Sequence, residues 1–435
     1  MNSPTRLDSV NRRPLRILSS LKDARGALKP GAWGIADQGL SALASLVVNL
    51  ALIRWLGPDD YGAFAVAFAA FYLLAGLHNA LLSEPLLVFG AGVYRHDATD
   101  YLQTLTLGHW LVSGLLSAAL TLFALSAWWQ GSPALFQAFL GAGLATPGLL
   151  LLTLGRRVHY LRGTPRPAAI GGGLYLLAAL AGVFALSWLG LLSAFSAYLL
   201  MGSFSALVGA LLLRGLGIRL LGRSARWPAR EVAQNHWHYG RWVIASTVAA
   251  WIPGNLYFMV LPAMHGLDDV GILAALMLFL RPVMTIVQPL ALLLVPRLVA
   301  QAGTPNATQD VIATTAVFAA VSLVYWIGLG FAHGPLAALI LGAEYRPHSH
   351  ILILLGGVAP ALAIAAVFAS GLRAGMRPDL EFKAHLFSAA IAVGVGLPLV
   401  LAQGLTGAAI GLPVSMAALA VAMAFLFFTR VANTP

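Results

Sequence analysis

The sequence predicts an all-α integral membrane protein of twelve transmembrane helices in two pseudo-symmetric six-helix lobes. Three observations carry this: the apolar stock, the placement of the basic residues, and a repeated turn. Of 435 residues, 59% are hydrophobic and 9% are charged, whereas a soluble domain carries roughly 25% charged. A span uses roughly 20 apolar residues, so twelve need roughly 240. That is close to the whole apolar stock and leaves little for a soluble domain.

Spans are expected at 31–56, 62–92, 101–129, 133–154, 168–189, 191–213, 237–263, 270–297, 310–332, 347–372, 382–402 and 405–430. The fifth and sixth are barely separated. Residues 334–343 are apolar but too short to span, and are expected as an interfacial or re-entrant piece. Residues 1–30 form a basic tail, with Pro4, Pro14 and Pro30 interrupting any signal-peptide core. Within it, Leu15–Leu28 is expected as a helix on the anionic leaflet.

The 26 Lys and Arg residues set the orientation. With the N-terminus inside, 23 of them fall in cytoplasmic segments. Seven lie in the tail, then come Arg95, four at 156–166, six at 214–241 and five from Arg297 onward. Arg54 and Arg346 fall at the outer side and Arg281 lies within a span. Both termini are therefore expected in the cytoplasm. The net charge of +11 is a topological label spread over loops, which argues against nucleic acid as a partner.

The cytoplasmic loop 214–236 divides the spans into an N-lobe, 31–213, and a C-lobe, 237–430. Gly57-Pro58-Asp59-Asp60-Tyr61-Gly62 follows the first span and Gly266-Leu267-Asp268-Asp269-Val270-Gly271 follows the seventh, 209 residues later. Both sit at an outer turn, which implies a parallel repeat about an axis along the membrane normal.

Charged groups inside a bilayer are costly and face a cavity or a partner. Four qualify: Asp37, Arg54, Glu84 and Arg281. Gln38, Ser41, Ser45 and Asn49 form one stripe on the first helix, with Asp37 beside it. The stripe either walls a hydrophilic cavity or glues helices together. Arg54 lies on the opposite face, where Asp59 or Asp60 could pair with it. The second helix carries Tyr72, Gly76, Asn79 and Ser83, then Glu84-Pro85, where proline bends the chain. Glu84 and Asp37 are candidates for ion coupling, or for pairing with internal arginines. His78 reads as a packing histidine. On the eighth helix Arg281, Thr285 and Gln288 share a stripe, and Pro282, Pro289 and Pro296 recur every seven residues. Arg281, near the midplane, would either bind phosphate oxygens or pair with Glu84 or Asp37.

Cysteine is absent, so no thiol chemistry is available. No phosphate loop, HExxH metal site or GxSxG elbow occurs. No catalytic residue, metal site or cofactor is expected.

Asp37-Gln38-Gly39-Leu40-Ser41, Asn49, Arg54-Trp55-Leu56-Gly57-Pro58 and Tyr61-Gly62 resemble the start of Wzx-like polysaccharide-export and O-antigen flippases. These belong to the multidrug/oligosaccharidyl-lipid/polysaccharide (MOP) superfamily. Asn79, Glu84-Pro85, Arg156-Arg157 with Tyr160, Gly240-Arg241-Trp242, Trp251, Gly254-Asn255, Pro282, Pro296-Arg297 and Gly342-Ala343-Glu344-Tyr345 continue the likeness over most of the chain. The resemblance implies a MATE-like, two-lobed bundle around a cationic cavity. It implies alternating access that moves a polyprenyl-pyrophosphate-linked oligosaccharide, an O-antigen or exopolysaccharide repeat unit, across the bacterial inner membrane. Arg281 and Arg54 would supply the cationic lining. Asp37, Gln38, Ser45, Asn49, Asn79, Thr285 and Gln288 would complete the path. Membrane lipids and other polysaccharide-assembly proteins are the candidate partners. A cation-coupled small-molecule antiporter of the same fold is the competing reading. A membrane polymerase or ligase would have only the outer stretch 333–346, with Glu344, Arg346 and His348 beside it.

Overall fold

A computed structural model of the chain describes residues 21–221, 228–301 and 304–432. The described residues are helical almost throughout. Ten uninterrupted helical stretches are long and apolar enough to cross a membrane. Two of them, Ala32–Ala91 at 60 residues and Pro378–Val431 at 54, would each exceed a bilayer roughly twofold. Both break at a glycine outside the helical region: Gly57 (φ 77°, ψ 165°) and Gly404 (φ 56°, ψ −128°). The breaks restore twelve spans.

We number these α1 (21–56), α2 (58–91), α3 (Ala98–Trp129), α4 (Pro133–Leu161), α5 (Pro165–Trp188), α6 (Ala194–Arg214), α7 (Ala229–His265), α8 (Leu267–Ala300), α9 (Pro305–Leu336 with the π-turn Ala337–Leu341), α10 (Ile351–Ala374), α11 (378–403) and α12 (405–432). The first six pack on one another, mainly α4 on α6, α3 on α4 and α1 on α5. Among the last six, α10 is central, packing on α8, α9 and α12.

Two expectations need correction. Residues 334–341 continue α9 rather than forming a re-entrant piece. Pro335 is accommodated within the helix, and the buried Ala337 and Leu341 tie the last turn to the core. The stretch Leu21–Leu28 is helical, but as a direct extension of the first span. Its first six positions, 15–20, lie outside the described residues, as do Arg223 and Arg226 of the central loop.

The repeated turn has a physical basis. Gly57 and Gly266 adopt the same conformation, φ 77°, ψ 165° and φ 95°, ψ 173°. An L side chain is strained there. Each lets the chain reverse between two spans without a connecting loop. The two turns also meet. A Cβ on Gly62 would overlap the Leu267 carbonyl, and a Cβ on Gly271 would overlap the Pro58 carbonyl. Residues 62 and 271, and residues 58 and 267, are each 209 apart. The contact is therefore reciprocal, and the pseudo-two-fold axis passes through it.

Prolines set the local bends. Pro282 removes the backbone donor for the Leu278 carbonyl, and the chain tightens to a 3-10 turn over Leu278–Leu280 just before it. The neighbouring Phe279 carbonyl accepts the Tyr325 hydroxyl at 2.6 Å. Pro85 likewise frees the Leu81 carbonyl. His236 of α7 reaches across to it with Nδ1 at 2.8 Å, and its Nε2 meets the Tyr101 hydroxyl at 2.8 Å.

Candidate functional site

Between the lobes, beneath the paired turns, lies a cavity of about 450 Å³. Its wall comes from α1 (Ser45, Asn49), α2 (Tyr61, Phe64, Ala65, Phe68, Ala69, Tyr72), α7 (Gly254, Asn255, Phe258), α8 (Ala274, Met277, Leu280, Arg281, Met284) and α10 (Val358, Leu362). Five pairs of these residues are separated by 209: Ser45 and Gly254, Asn49 and Phe258, Ala65 and Ala274, Phe68 and Met277, Tyr72 and Arg281. The cavity thus straddles the repeat axis. Its chemistry does not obey the repeat: Asn49 faces Phe258's position, and Tyr72 faces that of Arg281.

Arg281 is the one formal charge in this wall. It stands at the N-terminal side of the Pro282 bend, where the 3-10 turn re-aims the helix. One guanidinium nitrogen donates to the Ser45 hydroxyl at 2.6 Å, linking the lobes. Among the described residues no carboxylate pairs with it, so the expected alternatives of Glu84 and Asp37 are not formed. Asn49 accepts the Tyr61 hydroxyl at 3.1 Å and donates to the Ser45 carbonyl at 2.7 Å. The guanidinium therefore keeps donors to spare above an aromatic and thioether lining.

The other predicted site residues lie elsewhere. Asp37 is fully buried and held within the N-lobe. Arg156 donates to its Oδ2 at 2.7 and 3.2 Å, and Tyr160 donates at 2.6 Å. Its Oδ1 has no partner. Gln38 is exposed beside the same Tyr160 hydroxyl. Two fragments of the family-like pattern, 119 residues apart, thus serve one buried ion pair. Arg54 pairs with neither Asp59 nor Asp60. Its Nε donates to the Ile340 carbonyl at 2.9 Å, and a second nitrogen donates to the Leu339 carbonyl. The reason is backbone supply: α9 ends at Gly342 (φ 137°), leaving carbonyls that a guanidinium fork satisfies. Asn79 donates to Glu84 Oε1 at 3.2 Å, across the π-turn Asn79–Ser83. Glu84 meets no arginine among the described residues. Thr285 bonds its own helix, at the Arg281 carbonyl. Gln288 is exposed further along. None of these lines the cavity.

Ser45, Asn49 and Arg281 are therefore the predicted residues that the fold brings together. The aromatic lining was missed at sequence level, except Tyr72 on its stripe. A signal existed: adding or subtracting 209 from those three gives Gly254, Phe258 and Tyr72, all in the wall.

The buried pair yields a test. Asp37→Ala leaves Arg156, 21% exposed, without its counter-charge. Such losses cost about 3–5 kcal/mol, so thermal stability should fall markedly. Asp37→Asn, which can still accept the Tyr160 hydroxyl, should fall less and keep transport per folded molecule. A dead but fully stable Asp37→Asn protein would contradict this structural role.

No protein-family model matches the chain, and no curated protein matches it. Solved structures do. An inward-facing multidrug-resistance MATE family transporter of the MOP superfamily superposes with a TM-score of 0.74 at 11% identity, over 92% of this chain and 98% of that one. The chain has the MATE-like fold. The lipid II flippase MurJ, in an inward closed conformation, gives 0.71 at 13% identity, over 92% and 87%. An outward-facing MATE transporter gives 0.62 at 13% identity, over 94% and 96%. These proteins are transporters and a flippase, none an enzyme. This MATE-like bundle is a multi-pass membrane protein.

Proposed function

We propose that the protein is a lipid-linked oligosaccharide flippase. It moves a polyprenyl-pyrophosphate-linked O-antigen or exopolysaccharide repeat unit across the bacterial inner membrane by alternating access. The observation that carries this is the composition of the cavity: one unpaired guanidinium, hydroxyl and amide groups, aromatic faces, and no carboxylate. A guanidinium in a low-dielectric site favours a multiply charged phosphate. Aromatic faces suit the apolar faces of sugar rings. The prenyl chain stays in lipid between the lobes.

Arg281 is the phosphate ligand in this reading, with Ser45, Asn49, Asn255 and Tyr72 as polar neighbours. The paired turns are at the periplasmic side, and the basic tail and central loop are cytoplasmic. The uneven division of 26 Lys and Arg residues supports this. The antiporter reading shares the fold. It is less well served by the cavity, because an organic cation wants an acidic wall and Asp37 is neutralised by Arg156.

Deleting the gene tests the proposal. The expected result is lipid-linked repeat units accumulating on the cytoplasmic face, with surface polysaccharide lost and restored by the wild-type gene. Normal surface polysaccharide, in a strain without a second transporter of this fold, would overturn it. Loss of resistance to cationic drugs alone would favour the antiporter.

A further inference from the structure

A second cavity, of about 400 Å³, lies at the end of α6. Arg214, Gly217, Ile218, Arg219, Leu220 and Leu221 line it. It shares no residue with the cavity between the lobes, whose wall comes from other helices.

The local sequence builds this cavity. α6 closes on a left-handed glycine, Gly217 at φ 75°. The Gly217 amide donates to the Arg214 carbonyl at 2.9 Å, and the Ile218 amide donates to the Leu213 carbonyl at 3.2 Å. This is the bond pattern of a glycine C-cap, in which the residue after the glycine packs back on the last turn. Ile218 and Leu213 are accordingly buried in one apolar cluster. Beyond Ile218, the Trp110 indole of α3 donates to the Leu220 carbonyl at 2.8 Å. The chain is thus fastened on both sides of Arg219, which returns to the same cavity as Arg214. Both arginines are exposed. Among the described residues no carboxylate pairs with either. Nor does any described backbone carbonyl accept from the amides of Arg219, Leu220 or Leu221. The cavity offers two guanidinium groups and spare amides, and its wall holds no acid.

Depth and neighbours point to lipid. α6 has 21 residues, about the number that crosses the hydrocarbon core. Arg214, at its end, therefore stands in the headgroup layer. Leu207 and Leu211, each 56% exposed, precede Arg214 at spacings of seven and three. They form one stripe that runs about 10 Å along the helix up to the cavity. Leu221, on the cavity's own wall, is 81% exposed. A water-soluble phosphate would use the arginines and leave these leucines bare.

We propose that this cavity binds the phosphate of an anionic phospholipid, held by Arg214 and Arg219, with the Leu207–Leu211 stripe against an acyl chain. A guanidinium matches phosphate oxygens with paired N–H donors. Two of them beside no carboxylate favour a headgroup that carries no cation of its own. A bound lipid ties the N-lobe, and the start of the linker between the lobes, to one leaflet. The site is separate from the central cavity, so the proposal stands or falls apart from the flippase assignment.

Native mass spectrometry of the full-length protein in detergent tests this, with phosphatidylglycerol and phosphatidylcholine of the same acyl chains as probes. Phosphatidylglycerol should bind with the higher affinity. Arg214→Gln and Arg219→Gln should each weaken it roughly ten- to hundredfold, the effect of removing a hydrogen bond to a charged group. Arg230→Gln is the same loss of charge at an exposed position in the first turn of α7. It should change the affinity by less than about fivefold, the effect of diffuse attraction to a surface. Equal losses in all three variants would reduce the site to that diffuse attraction and overturn the proposal. So would equal binding of the two lipids, or displacement of phosphatidylglycerol by an equimolar amount of inorganic phosphate, which would assign the cavity to a free anion. A second measurement leaves both arginines in place. The chain has no cysteine, so Leu221→Cys takes a single nitroxide. In bilayers of the two lipids mixed, it should broaden the phosphorus resonance of phosphatidylglycerol more than that of phosphatidylcholine, and equal broadening would refute the site.

Discussion

Gly62→Val and Gly271→Val should each lock the protein with its paired turns apart. In the present state a Cβ added to either glycine would overlap a backbone carbonyl of the opposite lobe, Leu267 for Gly62 and Pro58 for Gly271. A carbonyl cannot rotate aside as a side chain can. The lobes must separate there, and overpacking of this kind costs about 1–3 kcal/mol. That corresponds to a shift of about five- to hundred-fold in the balance between closed and open states. Because the contact is reciprocal, the two variants should behave alike, a result the 209-residue repeat requires. Ala65→Cys in the cavity wall gives the readout. An impermeant maleimide added to whole cells should label it slowly in the parent and much faster in either valine variant. Transport should fall in proportion. Gly39→Ala, with nothing within 4 Å of its added Cβ, is the silent control. Unchanged labelling together with normal transport would remove the paired turns as the closing contact.

Arg281→Ala should reduce transport by one to two orders of magnitude at normal expression. The guanidinium is the single charge in the cavity wall, and a hydrogen bond to a charged group is worth about 1.5–3 kcal/mol. Arg281→Lys keeps the charge but loses the planar fork, and should recover part of the activity. Ser45→Ala removes the present partner of Arg281 and should leave transport nearly intact, since that bond is exchanged for substrate. Complementation of the deletion strain, scored as surface polysaccharide, reads all three. Full activity of Arg281→Ala would exclude Arg281 from substrate binding. Full activity of Ser45→Ala with loss in both Arg281 variants is the pattern that supports it.

Much of the architecture was legible in the sequence. The apolar stock gave the span count, and the two Gly-x-Asp-Asp turns gave the repeat and its break points. Gly57 was legible because a positive φ demands a residue type. Three of the site residues, Ser45, Asn49 and Arg281, were legible because a polar group in an apolar helix must face something. What they face was not. Arg54 and Asp37 carry the same kind of signal, yet one caps the end of α9 and the other meets Arg156 in its own lobe. A backbone carbonyl leaves no mark in the sequence, and Arg156 stands among basic residues that all read as loop charge. The aromatic wall was hidden for a related reason. Phe64, Phe68 and Phe258 are indistinguishable by composition from residues that face lipid or the core.

Hydrophobicity, proline and glycine act over a few residues, so the sequence alone determined most of the helices and the turns between them, with 334–341, which continue α9, the exception. The tertiary structure decided which polar groups are consumed by partners and which stay free. That depends on contacts between residues more than 100 positions apart, such as Asp37 with Arg156 and Ser45 with Arg281. In a medium that offers no water to unpaired groups, the fold left Arg281 with spare donors in the wall of a cavity between the two lobes.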